Sequence, residues 1–365
     1  MIIGIKSLLF PSCFNMLEEV FIQNFRNLQE VKLSCLDNLH IFIGDNGQGK
    51  TNLLEAIYTF SIARPFRLKN CYEAIFFEQE AFHIKAKTNS KFLEIHSANF
   101  PRRQTKYLVD NKKITSSKFI GSFYAVLFAP EDLLLIKGAP LLRRSFLNDL
   151  LVRVDTIYAE CLYEYEKILK QRNALLKQIQ KNEAKETDLE VWDLPLEKNA
   201  QIIWQKRESL LEKIEKEIQK NYFNISQQQK RITLKFCKKI DSNNFLDDLK
   251  KRWKKDVLLG TTTVGPHRDD FMISLNSHNA NSYASQGEVR SLVLSLKLAE
   301  ITVLEKKIQD NVTLLLDDVF SELDENRQQS LLALISSRQT FITTTSAHNF
   351  KIKGSFFQIQ QGRII

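Results

Sequence analysis

Apolar positions along this chain change period repeatedly, and each change marks an element. Leu17 to Ile22 and Val31 to Cys35 read as strands joined by the turn Asn24-Phe25-Arg26-Asn27, an antiparallel lead into a mixed sheet, with Arg26 a solvated turn arginine. His40-Ile41-Phe42-Ile43 is a short apolar run suited to a buried parallel strand, and Asn52 to Tyr58 follows with helical spacing. Ala81 to Ala86 and Phe92 to His96 alternate as half-exposed strands do, and Phe123 to Phe128 is a further strand closed by Ala129-Pro130-Glu131-Asp132. Helical spacing then governs Leu141 to Leu151, Ile157 to Ile179 and, after a break over Asn182 to Pro195, Leu196 to Tyr222. Beyond these come a strand over Lys230 to Phe236, a helix over Leu246 to Val257 and a strand over Phe271 to Leu275. A long amphipathic helix behind Ser285 carries the stripe Leu292, Leu296, Ala299, Val303. Val312 to Leu316 and Phe341 to Thr345 are buried strands, Ser321-Glu322-Leu323-Asp324 caps a helix between them, and Phe356 to Ile365 is a hairpin turning at Gln361-Gly362.

This order predicts an α/β fold with a mixed β-sheet around a helix behind a glycine-rich loop, plus an inserted, mostly helical second lobe. Residues 16–128 and 259–365 supply the two parts of the first lobe, and residues 129–258 the second. Residues 1–15, with Lys6 ahead of Leu8-Leu9-Phe10, resemble a signal peptide only poorly because the apolar core is too short; they read as a dispensable extension before Met16.

The loop itself, Gly44-Asp45-Asn46-Gly47-Gln48-Gly49-Lys50-Thr51, meets every fixed position of the phosphate-cradling pattern G-x-x-x-x-G-K-[ST], in the strand-loop-helix context that pattern needs. Its glycines permit a tight turn in which successive N–H groups converge on the β- and γ-phosphates of ATP at a helix N-terminus. Lys50 then neutralises phosphate charge and Thr51 holds Mg²⁺ through its hydroxyl.

Two later runs suit the same chemistry. Asp317-Asp318 ends a buried strand, where a nucleotide-bound Mg²⁺ needs an acidic partner; Asp317 would hold the metal directly or through water, and Asp318 would orient and polarise the attacking water. Ser285-Gln286-Gly287-Glu288 opens a helix with a capping-box signature and a glycine that allows close approach, a second phosphate site. One cradled γ-phosphate has only its far side open, so Ser285, Gln286 and Gly287 would most simply come from another copy of the chain. Gly265-Pro266-His267-Arg268-Asp269-Asp270 can be read as a metal site or as a polar structural turn; its spacing fits no zinc pattern.

Composition narrows the partners. Among 365 residues, 52 Lys and Arg against 43 Asp and Glu give a net charge of +9, which suits a polyanion or an acidic membrane surface. The basic clusters are Arg102-Arg103, Lys112-Lys113 and, densest, Lys250-Lys251-Arg252 with Lys254-Lys255 around Trp253, an aromatic placed to stack on a base. Five scattered cysteines without a C-x-x-C pair indicate neither a disulfide framework nor a zinc site and suit a reducing cytoplasm. No run of eighteen apolar residues is present, so no membrane-spanning helix is expected.

Several of these runs, in this order, resemble the RecF family of bacterial recombination-mediator ATPases, allied to SMC and ABC-type ATPase heads. They are Asn24-Phe25-Arg26-Asn27, the loop continuing to Ile57, Pro130-Glu131-Asp132-Leu133, Gly265 to Asp270, Ser285-Gln286-Gly287 with Arg290-Ser291-Leu292, and Leu316 to Asp324. The resemblance covers the chain from Met16 onward. It implies an ATP-dependent homodimer in which Ser285-Gln286-Gly287 of one subunit completes the site of Lys50, Thr51 and Asp317 of the other. It also implies binding of single-stranded, duplex or gapped DNA, weak DNA-stimulated ATP hydrolysis used as a switch, and work with RecO- and RecR-like mediators that load RecA. Two departures stand out: ABC-type ATPases usually have Glu where this chain has Asp318, and Thr343-Thr344-Thr345 occupies the place of their switch histidine, with His348 further on. Both suit slow turnover. An ABC transporter subunit would have no use for the basic clusters and helical lobe, and a small-molecule kinase would not need the Ser285 motif. A structural SMC protein would need a longer coiled-coil arm than the roughly 40 Å of a 25-residue helix.

Overall fold

The computed structural model describes residues 16–240, 244–322, 328, 331, 337–345 and 354–365. The expected extension over residues 1–15, the cap at Leu323-Asp324 and the position of His348 lie outside them. In chain order the first elements are β1 (Leu17–Phe25), β2 (Leu28–Ser34), β3 (Leu39–Ile43), α1 (Lys50–Ile62), β4 (Ala81–Thr88), β5 (Phe92–Ala98), β6 (Gln104–Val109), β7 (Lys112–Ile114), α2 (Ser116–Phe119) and β8 (Ala125–Phe128). There follow α3 (Leu134–Lys137), α4 (Pro140–Val154), α5 (Thr156–Gln180), α6 (Glu190–Ser226), β9 (Ile232–Cys237), α7 (Phe245–Leu259), β10 (Asp270–Leu275), β11 (His278–Asn279), α8 (Ala280–Tyr283) and α9 (Gln286–Ile308). The last are β12 (Thr313–Asp317), β13 (Thr340–Thr344), β14 (Ser355–Gln360) and β15 (Arg363–Ile364).

The chain forms two compact units, Met1–Pro130 with Leu304–Ile365, and Glu131–Val303. In the first, one six-stranded sheet of order β2-β1-β4-β5-β6-β7 is antiparallel throughout. The other, of order β15-β14-β3-β13-β12-β8, is parallel apart from its edge strand β15. Sequence alternation decides which strand goes where. β1 buries Leu17, Val20, Ile22 and Phe25 while its intervening positions are less buried, as a strand with one packed face must. β3 is buried from Leu39 to Phe42, His40 included, and needs a partner strand on each side, which β14 and β13 provide. The expected lead of the first two strands into the sheet of the loop strand is therefore corrected: they belong to a separate antiparallel sheet. Leu53, Leu54, Ile57 and Phe60 of α1 share one core with Val20, Ile22, Phe82 and Ile84 of that sheet and with Phe42, Leu315 and Phe341 of the parallel one.

In the second unit α6 is longer than the periodicity indicated, 37 residues with Pro195 inside it. Pro195, in the second turn, forgoes its bond to the Val191 carbonyl and crowds it without ending the helix, so the break expected over 182–195 ends at Glu190. At about 1.5 Å per residue the helix is roughly 55 Å long, still short for a coiled-coil arm. The second unit boundary also needs correction, from 258 to 303. β10 pairs with β9 over its full length, and Arg143 of α4 makes a bidentate ion pair with Asp270 at 2.7 and 2.8 Å, so residues 259–303 pack with the helical unit.

Candidate nucleotide-binding site

The loop between β3 and α1 lies at the carboxyl end of the parallel sheet, where β3, β13 and β12 all terminate on the same edge. Gly49 precedes α1 with φ +107°, in the left-handed region that only glycine adopts cheaply, and a Cβ on Gly44 would stand 2.4 Å from the Ile359 carbonyl oxygen. Asp45, Asn46 and Gly47 are exposed at the tip, Gln48 is half-buried, and Lys50 is buried. The Lys50 ammonium donates to the carbonyls of Gly44 at 2.6 Å and Asp45 at 2.9 Å, folding the loop back over it. Burial pulls its pKa below the ordinary lysine value, opposed by the charges of Asp318, Asp317 and Asp45.

Thr51 and Asp317 come together here. Thr51 Oγ1 donates to Asp317 Oδ1 at 2.8 Å, Thr343 Oγ1 donates to the same oxygen at 2.7 Å, and the Arg67 guanidinium is 3.7 Å from Oδ2. Asp318 follows in the left-handed region at φ +50°, its N–H donating to the carbonyl (3.2 Å) and hydroxyl (3.0 Å) of Thr343. A hydroxyl and a carboxylate in contact beside a glycine-lined helix N-terminus are the oxygen ligands a nucleotide-bound Mg²⁺ takes, so the residues present fit ATP and Mg²⁺.

Sequence reasoning missed four supports of this site. Thr343 sits where a switch histidine was sought and is bonded to Asp317 instead. Arg67 reaches the same carboxylate from the segment after α1. Asn27 donates to the Gly47 carbonyl at 3.3 Å and accepts from Asn52 at 2.8 Å. Arg26, read as a solvated turn residue, is corrected: its Nε and Nη2 donate to the fully buried Glu55 carboxylate of α1 at 2.9 and 3.2 Å. The sequence signals for these were the closeness of 26–27 to the loop strand and the place of Thr343 at the end of a buried strand facing the site; Arg67 had none.

The Ser285 motif lies in the second unit. Its capping box is formed, with the Ser285 N–H donating to Glu288 at 2.7 Å and the Glu288 N–H to Ser285 Oγ at 3.3 Å, while Lys230 pairs with the Glu288 carboxylate. Ser285 and Gln286 are exposed and Gly287 is half-buried. The Gly265–Asp270 run is the polar structural turn. Asp269 accepts from Trp204 and from the Lys239 N–H, Asp270 is held by Arg143, and His267 is bonded to Tyr165 (2.7 Å) and to the Thr262 carbonyl (3.0 Å). Burial lowers the His267 pKa to about 4, so the ring is neutral near pH 7.

Arg102 and Arg103 precede β6, with the Arg103 guanidinium 4.8 Å from the Tyr72 ring centroid. Lys112 and Lys113 are exposed on the edge strand β7, at the other end of β6 by roughly 20 Å. On α7, Lys250, Lys251, Lys254 and Lys255 are exposed, Arg252 is half-buried, and Lys250 is 3.3 Å from Glu190. Trp253 is not presented for stacking on a base: its indole N–H donates to Asp193 at 2.8 Å and the ring packs on Leu176, Ile179 and Leu189.

The family model described as RecF/RecN/SMC N terminal domain matches residues 16–363. The DNA replication and repair protein RecF of Enterococcus faecalis is 37% identical over 95% of this chain and 98% of its own length. That of Streptococcus pneumoniae (strain P1031) is 40% identical over the same shares. A structure of the recombination mediator protein RecF-ATP in the RecFOR pathway superposes with a TM-score of 0.89 at 32% identity, covering 97% of this chain and 98% of that one. A Pyrococcus furiosus Smc head domain bound to the C-terminal domain of ScpA superposes at 0.54 with 14% identity over 96% of each chain, a likeness of fold alone. The chain belongs to the RecF/RecN/SMC N-terminal-domain family and, within it, to the RecF proteins of DNA replication and repair.

Proposed function

We propose that this chain is an ATP-operated, DNA-binding switch of recombinational repair and replication restart, acting in the cytoplasm with RecO- and RecR-like mediators. The contact of Thr51 with Asp317 beside the glycine-lined loop carries the reading, because it sets a hydroxyl and a carboxylate where a nucleotide-bound metal needs them. Gly44, Asp45, Asn46, Gly47, Gln48 and Gly49 cradle the triphosphate, Lys50 neutralises it, and Thr51 and Asp317 hold Mg²⁺. When bound, Mg²⁺ supplies charge neutralisation at the β- and γ-phosphate oxygens. Asp318 positions and polarises the attacking water; its short side chain suits slow turnover. Ser285, Gln286 and Gly287 complete the site from a second copy, so that ATP closes a homodimer on single-stranded, duplex or gapped DNA, and weak, DNA-stimulated hydrolysis ends that state. No helix among the described residues is long and apolar enough to cross a membrane.

Sedimentation with and without ATP tests the shared site. ATP shifts the parent from monomer to dimer, and Lys50→Ala and Ser285→Arg each abolish the shift; a parent that stays monomeric overturns it. ATPase rates without DNA and with single-stranded, duplex and gapped DNA in turn then measure the coupling.

A further inference from the structure

The turn Gln361-Gly362 between β14 and β15 meets the phosphate loop on the side of β3 away from β13 and β12. The Gln361 N–H donates to Gln48 Oε1 at 2.6 Å and the Gly362 N–H to the Gln48 carbonyl at 2.9 Å. Gly362 has φ +74°, and a Cβ there would stand 2.0 Å from the Asn27 carbonyl oxygen. Arg363 donates to Gln29 Oε1 at 2.6 Å, so the hairpin also holds the β1–β2 turn whose Asn27 grips Gly47.

In a trans peptide the C=O and N–H point in opposite directions. Holding the Gln48 carbonyl against Gly362 therefore turns the Gly49 N–H away from the hairpin. Donors aimed before the anion arrives need no reorganisation when it binds. We infer that Gln361 and Gly362 are positioning residues for the nucleotide site, presetting the phosphate loop through Gln48. The inference rests on the loop being the phosphate cradle.

The test is equilibrium binding of a fluorescent ATP analogue to the full chain, with kcat at saturating ATP and nucleotide-free thermal unfolding measured beside it. Gln48→Ala removes only the acceptor for Gln361 and weakens binding about fivefold, the worth of one neutral hydrogen bond. Gly362→Ala displaces the turn, loses both bonds and weakens binding about tenfold or more. In Gly362→Ala, kcat stays near the parent's value, a split that a merely structural role would not produce. The double variant loses less than the product of the two, because both act through one peptide. Unchanged affinity in a folded Gly362→Ala protein overturns the inference; should that variant not fold, unchanged affinity in Gln48→Ala overturns it. A parent that binds no ATP analogue refutes the cradle itself, a result distinct from either.

Discussion

Thr51 Oγ1 donates to Asp317 Oδ1 at 2.8 Å across 266 residues of sequence. The contact joins the first turn of α1 to the last residue of β12, and the parallel order β3-β13-β12 makes it possible.

Replacing either partner should uncouple metal from nucleotide. Thr51→Val and Asp317→Asn are expected to lower Mg²⁺-dependent ATP hydrolysis at least about a hundredfold, whereas Thr51→Ser, which keeps the hydroxyl, retains most of it. Steady-state rates over a Mg²⁺ titration check this; equal loss in Thr51→Ser and Thr51→Val would remove the hydroxyl from its role.

Arg26 compensates a carboxylate that is fully buried in α1. Arg26→Met leaves Glu55 with the Arg67 N–H at 3.1 Å and should destabilise the fold by about 3 kcal/mol, with Arg26→Met/Glu55→Leu recovering much of the loss. Urea unfolding of the single and double variants measures the coupling.

His267 makes stability depend on pH. Its folded pKa, about 4, lies below the ordinary value of 6.5, with burial the largest cause and Arg268, Arg144 and Arg172 adding to it against the Thr262 carbonyl. The folded state thus binds fewer protons than the unfolded chain. The contribution is fully present above pH 6.5 and is lost as pH falls toward 4, a loss on the order of 3 kcal/mol. The urea midpoint should fall over that window, and His267→Gln should flatten the slope.

Trp253 is a core residue rather than a base-stacking one. Trp253→Phe forfeits the bond to Asp193 and should cost about 1–2 kcal/mol of stability while leaving DNA affinity unchanged. A fall in affinity without a fall in stability, read by anisotropy and thermal unfolding together, would restore the stacking role.

Backbone contacts by exposed lysines release counterions. Lys112→Glu with Lys113→Glu should reduce the slope of log affinity against log salt by about two and weaken duplex binding at low salt. An unchanged slope would move the interface off β7.

Local chemistry was legible in the sequence. The glycine-rich loop, the strand and helix flanking it, the capping box at Ser285 and Glu288, and the final hairpin all follow from residue periods and spacings within a few turns. The sequence did not show which strands share a sheet, because pairing of β1 with β4 rather than β3 is settled by which faces must be buried. Nor did it reveal that Trp253 packs against Asp193, a contact spanning 60 residues.

By itself, then, the sequence determined the glycine-rich loop and the elements that frame it, since glycine conformations, caps and apolar periods act over short range. Only the tertiary structure decided what completes and braces it: Thr343 on Asp317, Arg26 on Glu55, and the 361–362 turn on Gln48. These contacts join residues that are distant along the chain and become neighbours when the two sheets close around α1.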